Sequence, residues 1–282
     1  MSAKLINGKL RAKEIRESLK KEVLSLKAKK IAPKLAVVLV GDDPASHIYV
    51  ANKEKDCAEV GILSEAYRLP ATAREAEVLG IVDKLNKDRS VHGIIVQLPL
   101  PDSIDEEKVT NSIDPAKDVD GLGTINMGML IKGQGDPLVC CTPQGCIDLI
   151  GSTGIEIKGK NAVVIGRSNM VGKPMAVLLL QNNATVTICH SKTVGLATIA
   201  RGADILVAAT GKAKMIKADM IRPGAVVIDV GMTKTDEGFI GDVDFEAAKE
   251  VAGFITPVPG GVGPMTRAML LKNTIKAASR II

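Results

Sequence analysis

The chain has 282 residues, 46% of them hydrophobic, and a formal net charge of +5. That is material for one large or two ordinary domains with real cores, and it excludes a chain that stays disordered for want of apolar residues. Two tyrosines, three phenylalanines and no tryptophan leave little to stack bases on, so no nucleic-acid partner is expected. The basic stretch 11–30 carries Ile15, Leu19, Val23 and Leu26 at helical spacing, as the solvated face of an amphipathic helix requires. Cys57, Cys140, Cys141, Cys146 and Cys189 form no CxxC pair, and His47, His92 and His190 are far apart in sequence, so no metal site is expected. The odd cysteine count and the lack of an apolar signal core at the start point to a reducing, cytoplasmic setting. No apolar run is long enough to cross a bilayer, so no membrane partner is expected.

In chain order the pattern predicts a helix over 11–30, a strand at 35–40, helices over 45–60 and 73–87, and a strand at 93–97. A turn-rich, Gly- and Met-bearing segment at 114–135 reads as a domain junction. Beyond it come a helix at 143–150, a strand at 162–165, a helix at 172–181, and strands at 185–188, 204–208 and 226–230. A helix over 243–252, a second junction at 256–264 and a last helix over 266–282 complete the series. The six short β-branched runs read as buried strands, and their alternation with helices predicts parallel sheet in an α/β fold. Two domains are expected: residues 1–118 with 264–282, and residues 119–263. The last helix then returns to the first domain.

The run from Asn161 to Pro174 reads as a buried strand, a turn opened by Gly166, and a helix starting near Gly172 with Pro174 in its first turn. Backbone N–H groups at such a helix start can hold a pyrophosphate. The glycines lie six apart, outside the GxGxxG pattern, so a plain structural turn with no ligand stays open as the alternative. The next strand is more informative. It ends in His190-Ser191-Lys192 and lacks the carboxylate that takes the ribose 2′-hydroxyl in NAD-binding units. Arg167 and Ser191, with His190 as a further donor, suit a 2′-phosphate, which predicts NADP as the cofactor. An ordinary surface histidine at a strand end accounts equally well for His190.

In the helix over 45–60, i+3 and i+4 steps put Ser46, Tyr49 and Lys53 on one face. A solvated lysine beside a half-buried tyrosine has the same spacing, so this pair needs support from elsewhere. Gln97 ends the strand at 93–97, where α/β sheets place ligands, and Asp118-Val-Asp-Gly sits at the expected junction, where clefts form.

Taken together, these segments resemble the methylenetetrahydrofolate dehydrogenase/methenyltetrahydrofolate cyclohydrolase family. The resemblance rests on Tyr49-Val-Ala-Asn-Lys, Val96-Gln-Leu-Pro-Leu-Pro, Asp118-Val-Asp-Gly, Cys141-Thr-Pro, Gly166-Arg-Ser, Cys189-His-Ser, Asp229-Val-Gly and Pro257-Val-Pro-Gly-Gly-Val-Gly-Pro-Met-Thr. It covers nearly the whole chain. It implies an N-terminal α/β domain, a Rossmann-type NADP-binding domain, a cleft between them, and a homodimer acting on tetrahydrofolate one-carbon derivatives in one-carbon metabolism and purine biosynthesis. By motif match Lys53, Tyr49, Gln97 and Asp120 are the active-site residues. Val96, Leu98, Pro259, Gly260, Gly261, Val262 and Gly263 line the folate, and Gly166, Arg167, Ser168 and Ser191 contact the cofactor. Met232 stands where the family usually has Ile beside the nicotinamide. The implied reactions are NADP-dependent oxidation of 5,10-methylenetetrahydrofolate and hydrolysis of the methenyl product to 10-formyltetrahydrofolate. A monofunctional or NAD-dependent dehydrogenase is the alternative. The chain departs from the family where Leu122-Gly123-Thr124 replaces Phe-His-Pro and where Cys140 replaces Pro, departures that bear on local loop shape and on the balance of the two reactions.

Overall fold

The computed structural model describes residues 2–236 and 238–280. In chain order the elements are β1 (Lys4–Leu5), α1 (Gly8–Ala28), β2 (Lys34–Val40), α2 (Pro44–Val60), β3 (Leu63–Leu69), α3 (Glu75–Lys87) and β4 (Gly93–Val96). Two short helices, α4 (Glu106–Asn111) and α5 (Thr124–Lys132), precede α6 (Cys141–Ser152). There follow β5 (Asn161–Ile165), α7 (Gly172–Gln181), β6 (Thr185–Cys189), α8 (Leu196–Arg201), β7 (Ile205–Ala208) and β8 (Val226–Asp229). The hairpin β9 (Thr233–Thr235) and β10 (Gly238–Ile240) leads to α9 (Phe245–Ala248), β11 (Phe254–Ile255) and α10 (Val262–Ser279).

The chain packs as two compact units, each α/β. One gathers Lys13–Cys141 and Arg267–Ile282, the other Met1–Ala12 and Thr142–Thr266. The first unit is built on a parallel three-stranded sheet in the order β3-β2-β4. β2 is the central strand and is apolar almost throughout because both its faces are covered. Val78, Val82 and Leu85, one face of α3, pack with Val38, Ile94 and Val96 of the sheet. Burial of each such side chain stabilises by about 1.5–3 kcal/mol. The segment after α4 runs beside β4: the Ile94 N–H donates to Lys117 O at 2.8 Å, and Ile94 bridges to Asp118 in parallel register. Asn273 of α10 donates from Nδ2 to the carbonyls of Val119 and Val139, each at 2.8 Å, so the last helix returns to this unit as expected.

The second unit holds a six-stranded sheet in the order β1-β11-β8-β7-β5-β6, parallel at every pairing. From β5 the chain steps outward to β6 and then crosses back to β7 on the other side. That is the Rossmann-type order, and it puts the point of reversal at the carboxyl ends of β5 and β7.

The compact units change over at Ala12, at Cys141 and at Thr266: β1 pairs with β11, and the segment through Val139 is tied to Asn273. Several expectations for single elements are corrected. The strand expected at 185–188 is an edge strand, largely exposed along its length. The segment 114–135 is more than turns, since Gly123 and Gly133 delimit α5 rather than interrupt it. The helix expected over 243–252 shrinks to α9, because Val243 is drawn into a parallel bridge with Ile216. β3 escapes a search for apolar runs because its sequence, LSEAYRL, alternates as a half-exposed edge strand does. α10 begins four residues earlier than expected, and the expected end of that helix, 281–282, lies outside the described residues.

Candidate active site

Helix α2 carries Tyr49 and Lys53, and its start is tightly specified. The Asp43 carboxylate accepts from the Ser46 N–H at 2.9 Å and from the Ser46 hydroxyl at 2.7 Å, and Pro44 opens the first turn. At the far end Gly61 adopts φ +85° and closes the helix. Tyr49, half-buried, stands one helical turn before Lys53. Gln97 follows β4, its N–H continuing the ladder to Val38 O at 2.8 Å.

Lys53 Nζ donates to Gln97 Oε1 at 2.7 Å, and Gln97 Nε2 donates to Leu98 O at 2.6 Å. The second bond sets the orientation of the amide, so that its oxygen faces the lysine. Burial pushes the Lys53 pKa down, and the Asp120 charge opposes that shift. Burial likewise pushes the Asp120 carboxyl up, with Lys53 opposing. The cluster is therefore an amine whose proton affinity burial lowers, bonded to a neutral amide and near enough to the Asp120 carboxyl to feel its charge.

The loop carrying Asp120 is held by Asp118, which is buried. Asp118 Oδ1 accepts from the Gly121 and Leu122 N–H groups, and Oδ2 accepts from the Gly123 N–H and from Asn126 Nδ2. At Gly123 a Cβ would come within 3.0 Å of Asp118 Oδ2, so this bond network is matched to the Leu122-Gly123-Thr124 sequence. Cys141 lies against Asp120, its thiol also within 3.3 Å of Val119 O, and burial raises its pKa well above the usual thiol value. Asp118 and Cys141 stand inside the motifs without a role of their own in the sequence, and their hydrogen bonds, to the loop N–H groups and to Val119 O, are what tell them apart from Asp120.

In the other unit Gly166, Arg167 and Ser168 follow β5, and Ser191 follows β6 two residues beyond its end. The Gly166 N–H donates to Cys189 O at 2.9 Å, and a Cβ on Gly166 would lie 2.1 Å from Ala209 O. Only glycine permits that approach of the β5 and β7 ends, at the point where the strand order reverses. Ser168 Oγ accepts from the Val171 and Gly172 N–H groups at 3.1 and 3.4 Å, just ahead of α7, and as acceptor in both it keeps its own proton to donate. Arg167, Ser191 and Lys192 are exposed, and no carboxylate ends β6. A guanidinium, a hydroxyl and an ammonium at adjoining strand ends suit a 2′-phosphate, so these residues fit NADP. His190 is tied into its own turn: its N–H donates to Thr193 Oγ1, and its Nδ1 accepts from the Lys192 N–H. Met232 lies just beyond β8 and is exposed.

Residues 6–120 match the family "Tetrahydrofolate dehydrogenase/cyclohydrolase, catalytic domain", and residues 140–282 match "Tetrahydrofolate dehydrogenase/cyclohydrolase, NAD(P)-binding domain". The chain belongs to the tetrahydrofolate dehydrogenase/cyclohydrolase family. It is 58% identical to the bifunctional protein FolD of Moorella thermoacetica over 281 residues, 99% of this chain and 100% of that one. Among solved structures it is similar to the bifunctional FolD methylenetetrahydrofolate dehydrogenase/cyclohydrolase of Campylobacter jejuni, with 46% identity, TM-score 0.98 and full coverage of both chains. It is also similar to the Trypanosoma brucei methylenetetrahydrofolate dehydrogenase-cyclohydrolase complexed with NADP cofactor and inhibitor: 39% identity, TM-score 0.94, covering 100% of this chain and 99% of that one.

Within the family's catalytic domain the structure gathers Lys53, Gln97 and Asp120, with Val96 and Leu98 flanking Gln97 in the chain. Pro259, Gly260, Gly261, Val262 and Gly263 belong to the other unit. Their loop is tied to the start of α1 by the Lys9 N–H, which donates to Gly260 O at 3.0 Å. Among the described residues no helix is long and apolar enough to cross a membrane.

Proposed function

We propose that this chain oxidises 5,10-methylenetetrahydrofolate to the methenyl form with NADP and hydrolyses that product to 10-formyltetrahydrofolate, serving one-carbon metabolism and purine biosynthesis. The observation that carries the reading is the cluster of Lys53, Gln97 and Asp120: a partly buried amine, its proton affinity lowered by desolvation, held by a fixed amide.

The substrate's one-carbon bridge lies between two nitrogens, whose lone pairs stabilise the cation left when hydride departs. Bound NADP supplies the hydride acceptor. Alignment of the bridge is then the main task of the chain in this step. Val96 and Leu98, flanking Gln97, line the folate, and Tyr49 packs against its ring system. Asp120 as carboxylate accepts from the pterin's ring N–H and amino group. In the hydrolytic step Lys53 in its neutral form takes the proton of the incoming water and returns it as the ring opens, while Gln97 Oε1 holds the amine in place. A cationic substrate beside Lys53 lowers its proton affinity further, in the same direction as burial does.

Gly166, Arg167, Ser168 and Ser191 bind the phosphates, and Met232 adjoins the nicotinamide. The chain works in the cytoplasm, and as a homodimer; the exposed edge of β6, where Ile188 is 42% exposed and one row of backbone groups lies outside the sheet, supports the second of these. Sedimentation velocity reads that state directly. The reading as a whole is tested by steady-state turnover of methylenetetrahydrofolate with NADP and with NAD, beside hydrolysis of the methenyl form without cofactor. Turnover in both assays, with NADP preferred, is expected. Inactivity in both overturns the reading.

A further inference from the structure

Two buried carboxylates in the second unit have no part in the chemistry above. Asp229, at the end of β8, is 2% exposed, and Asp242 is wholly buried. Asp229 Oδ1 accepts from the Gly231 N–H at 3.0 Å and the Asp242 N–H at 2.9 Å, and Oδ2 accepts from the Val243 N–H at 2.9 Å. The Asp229 N–H in turn donates to Thr256 Oγ1 at 2.8 Å. Asp242 Oδ2 accepts from the N–H groups of Thr210 and Gly211, the turn that follows β7. Its Oδ1 has no hydrogen-bond partner.

The packing around this pair is tight. A Cβ on Gly231 would lie 2.1 Å from Asp242 Oδ1, and a Cβ on Gly241 would lie 2.0 Å from Asp229 Oδ2. The carboxylates thus replace missing chain contacts between three loops, at the carboxyl ends of strands β7 and β8. Among the described residues, no salt bridge reaches either carboxylate, and after burial the groups that shift Asp229 most are backbone N–H donors and the Asp242 charge. Burial pushes Asp229 up to about 7 against the pull of its N–H donors. Burying acidic groups without a counter-ion is costly, and a turn that only needed to be stable is better served by neutral side chains.

We propose that Asp229 and Asp242 are positioning residues of the cofactor site, which lock the turns after β7 and β8 and so fix, through Gly231, where Met232 stands at the hydride-accepting end. This rests on the reading of those strand ends as the NADP site. The two residues have distinct duties. Both oxygens of Asp229 are occupied as acceptors, so an amide in its place turns an NH2 group against at least one backbone N–H. Asp242 uses one oxygen only, so an asparagine there keeps the bonds to Thr210 and Gly211 and places its NH2 where no donor points.

The experiment compares Asp242→Ala, Asp242→Asn and Asp229→Asn in the full chain. For D242A and D229N hydride transfer to NADP falls by about 100-fold, as misplacement of a reacting group does. Methenyl hydrolysis, which needs no cofactor, stays within about twofold. D242N retains both activities. Hydrogen exchange supplies the readout independent of turnover: NADP slows exchange at 210–211 and 231–232 in the unsubstituted chain and in D242N, and fails to do so in D242A. A merely structural role predicts parallel loss of both activities together with a lower Tm, and that result overturns the inference. Equal NADP protection in D242A, or a D242N as impaired as D242A, also overturns it. If NADP protects neither segment in the unsubstituted chain, the underlying placement of the cofactor fails as well.

Discussion

The surroundings of Lys53 and those of Arg167 solve opposite problems. Lys53 Nζ is already bonded to Gln97, beside an Asp120 that burial and an opposite charge pull in contrary directions. Arg167, Ser191 and Lys192 stand exposed at the ends of adjoining parallel strands. A proton carrier gains from a low-dielectric pocket, because desolvation brings an amine's pKa toward the range where it can accept and return a proton. A phosphate-binding set gains from the reverse: charged donors left in water, free to exchange solvent for an anion. The difference is one of preorganisation. The first site is assembled before its ligand arrives, and the second presents its charge and waits.

The sharpest way to break this contrast is to remove the assembled amine. Lys53→Met keeps the length and apolar stem of the side chain but carries no proton. Methenyl hydrolysis is expected to fall about 10²- to 10⁴-fold, the range of general acid–base catalysis, with a smaller loss in NADP reduction. Separate assays of the two steps check this. Equal losses would make Lys53 an aligning group for the folate and not the proton carrier.

The exposed site breaks more gently. Arg167→Ala removes one charge-assisted contact, a loss of roughly 1.5–3 kcal/mol, so KM for NADP rises about 10- to 100-fold while KM for NAD stays near its starting value. Initial rates with each cofactor decide it. If both KM values rise together, Arg167 serves the pyrophosphate they share and the basis for preferring NADP moves to Ser191 and Lys192.

How far each site could be read from sequence follows from the same difference. The cofactor loop is legible because its residues are consecutive: a strand, Gly166-Arg-Ser and a helix start lie in one run, and the missing carboxylate after β6 is visible by inspection. Lys53, Gln97 and Asp120 come from three separate segments, and spacing alone left Lys53 as a surface lysine beside a tyrosine. It took the resemblance to bring them together. Asp118, Cys141 and Asp229 stand in the motifs without roles of their own and Asp242 stands outside them, since a side chain that ties a loop and one that meets a ligand look alike until their partners are known. The edge strands failed for a plainer reason. β3 alternates and reads as loop, while β6 is β-branched and reads as buried although half its neighbours are missing. A β-branched run does not by itself report whether a strand lies at a sheet edge, since β4 is an edge strand too and is buried throughout.

The finest test of the assembled site concerns the charge of Asp120 at Lys53. That carboxylate raises the lysine's proton affinity, against the dominant effect of burial. Asp120→Asn removes the charge and nearly preserves the shape, so the Lys53 pKa falls further. On the proposed mechanism the hydrolytic step needs neutral Lys53, so its rate is expected to climb as pH rises through that pKa. A lower pKa therefore moves the acid limb of the pH–rate profile to lower pH in D120N, measured at saturating methenyl substrate so that weaker folate binding does not intrude. An unmoved limb would mean that Asp120 is protonated in the working enzyme. The pair would then be a hydrogen-bonding arrangement without charge coupling, and burial alone, acting on Lys53 beside a neutral Gln97, would account for the readiness of this amine to give up its proton.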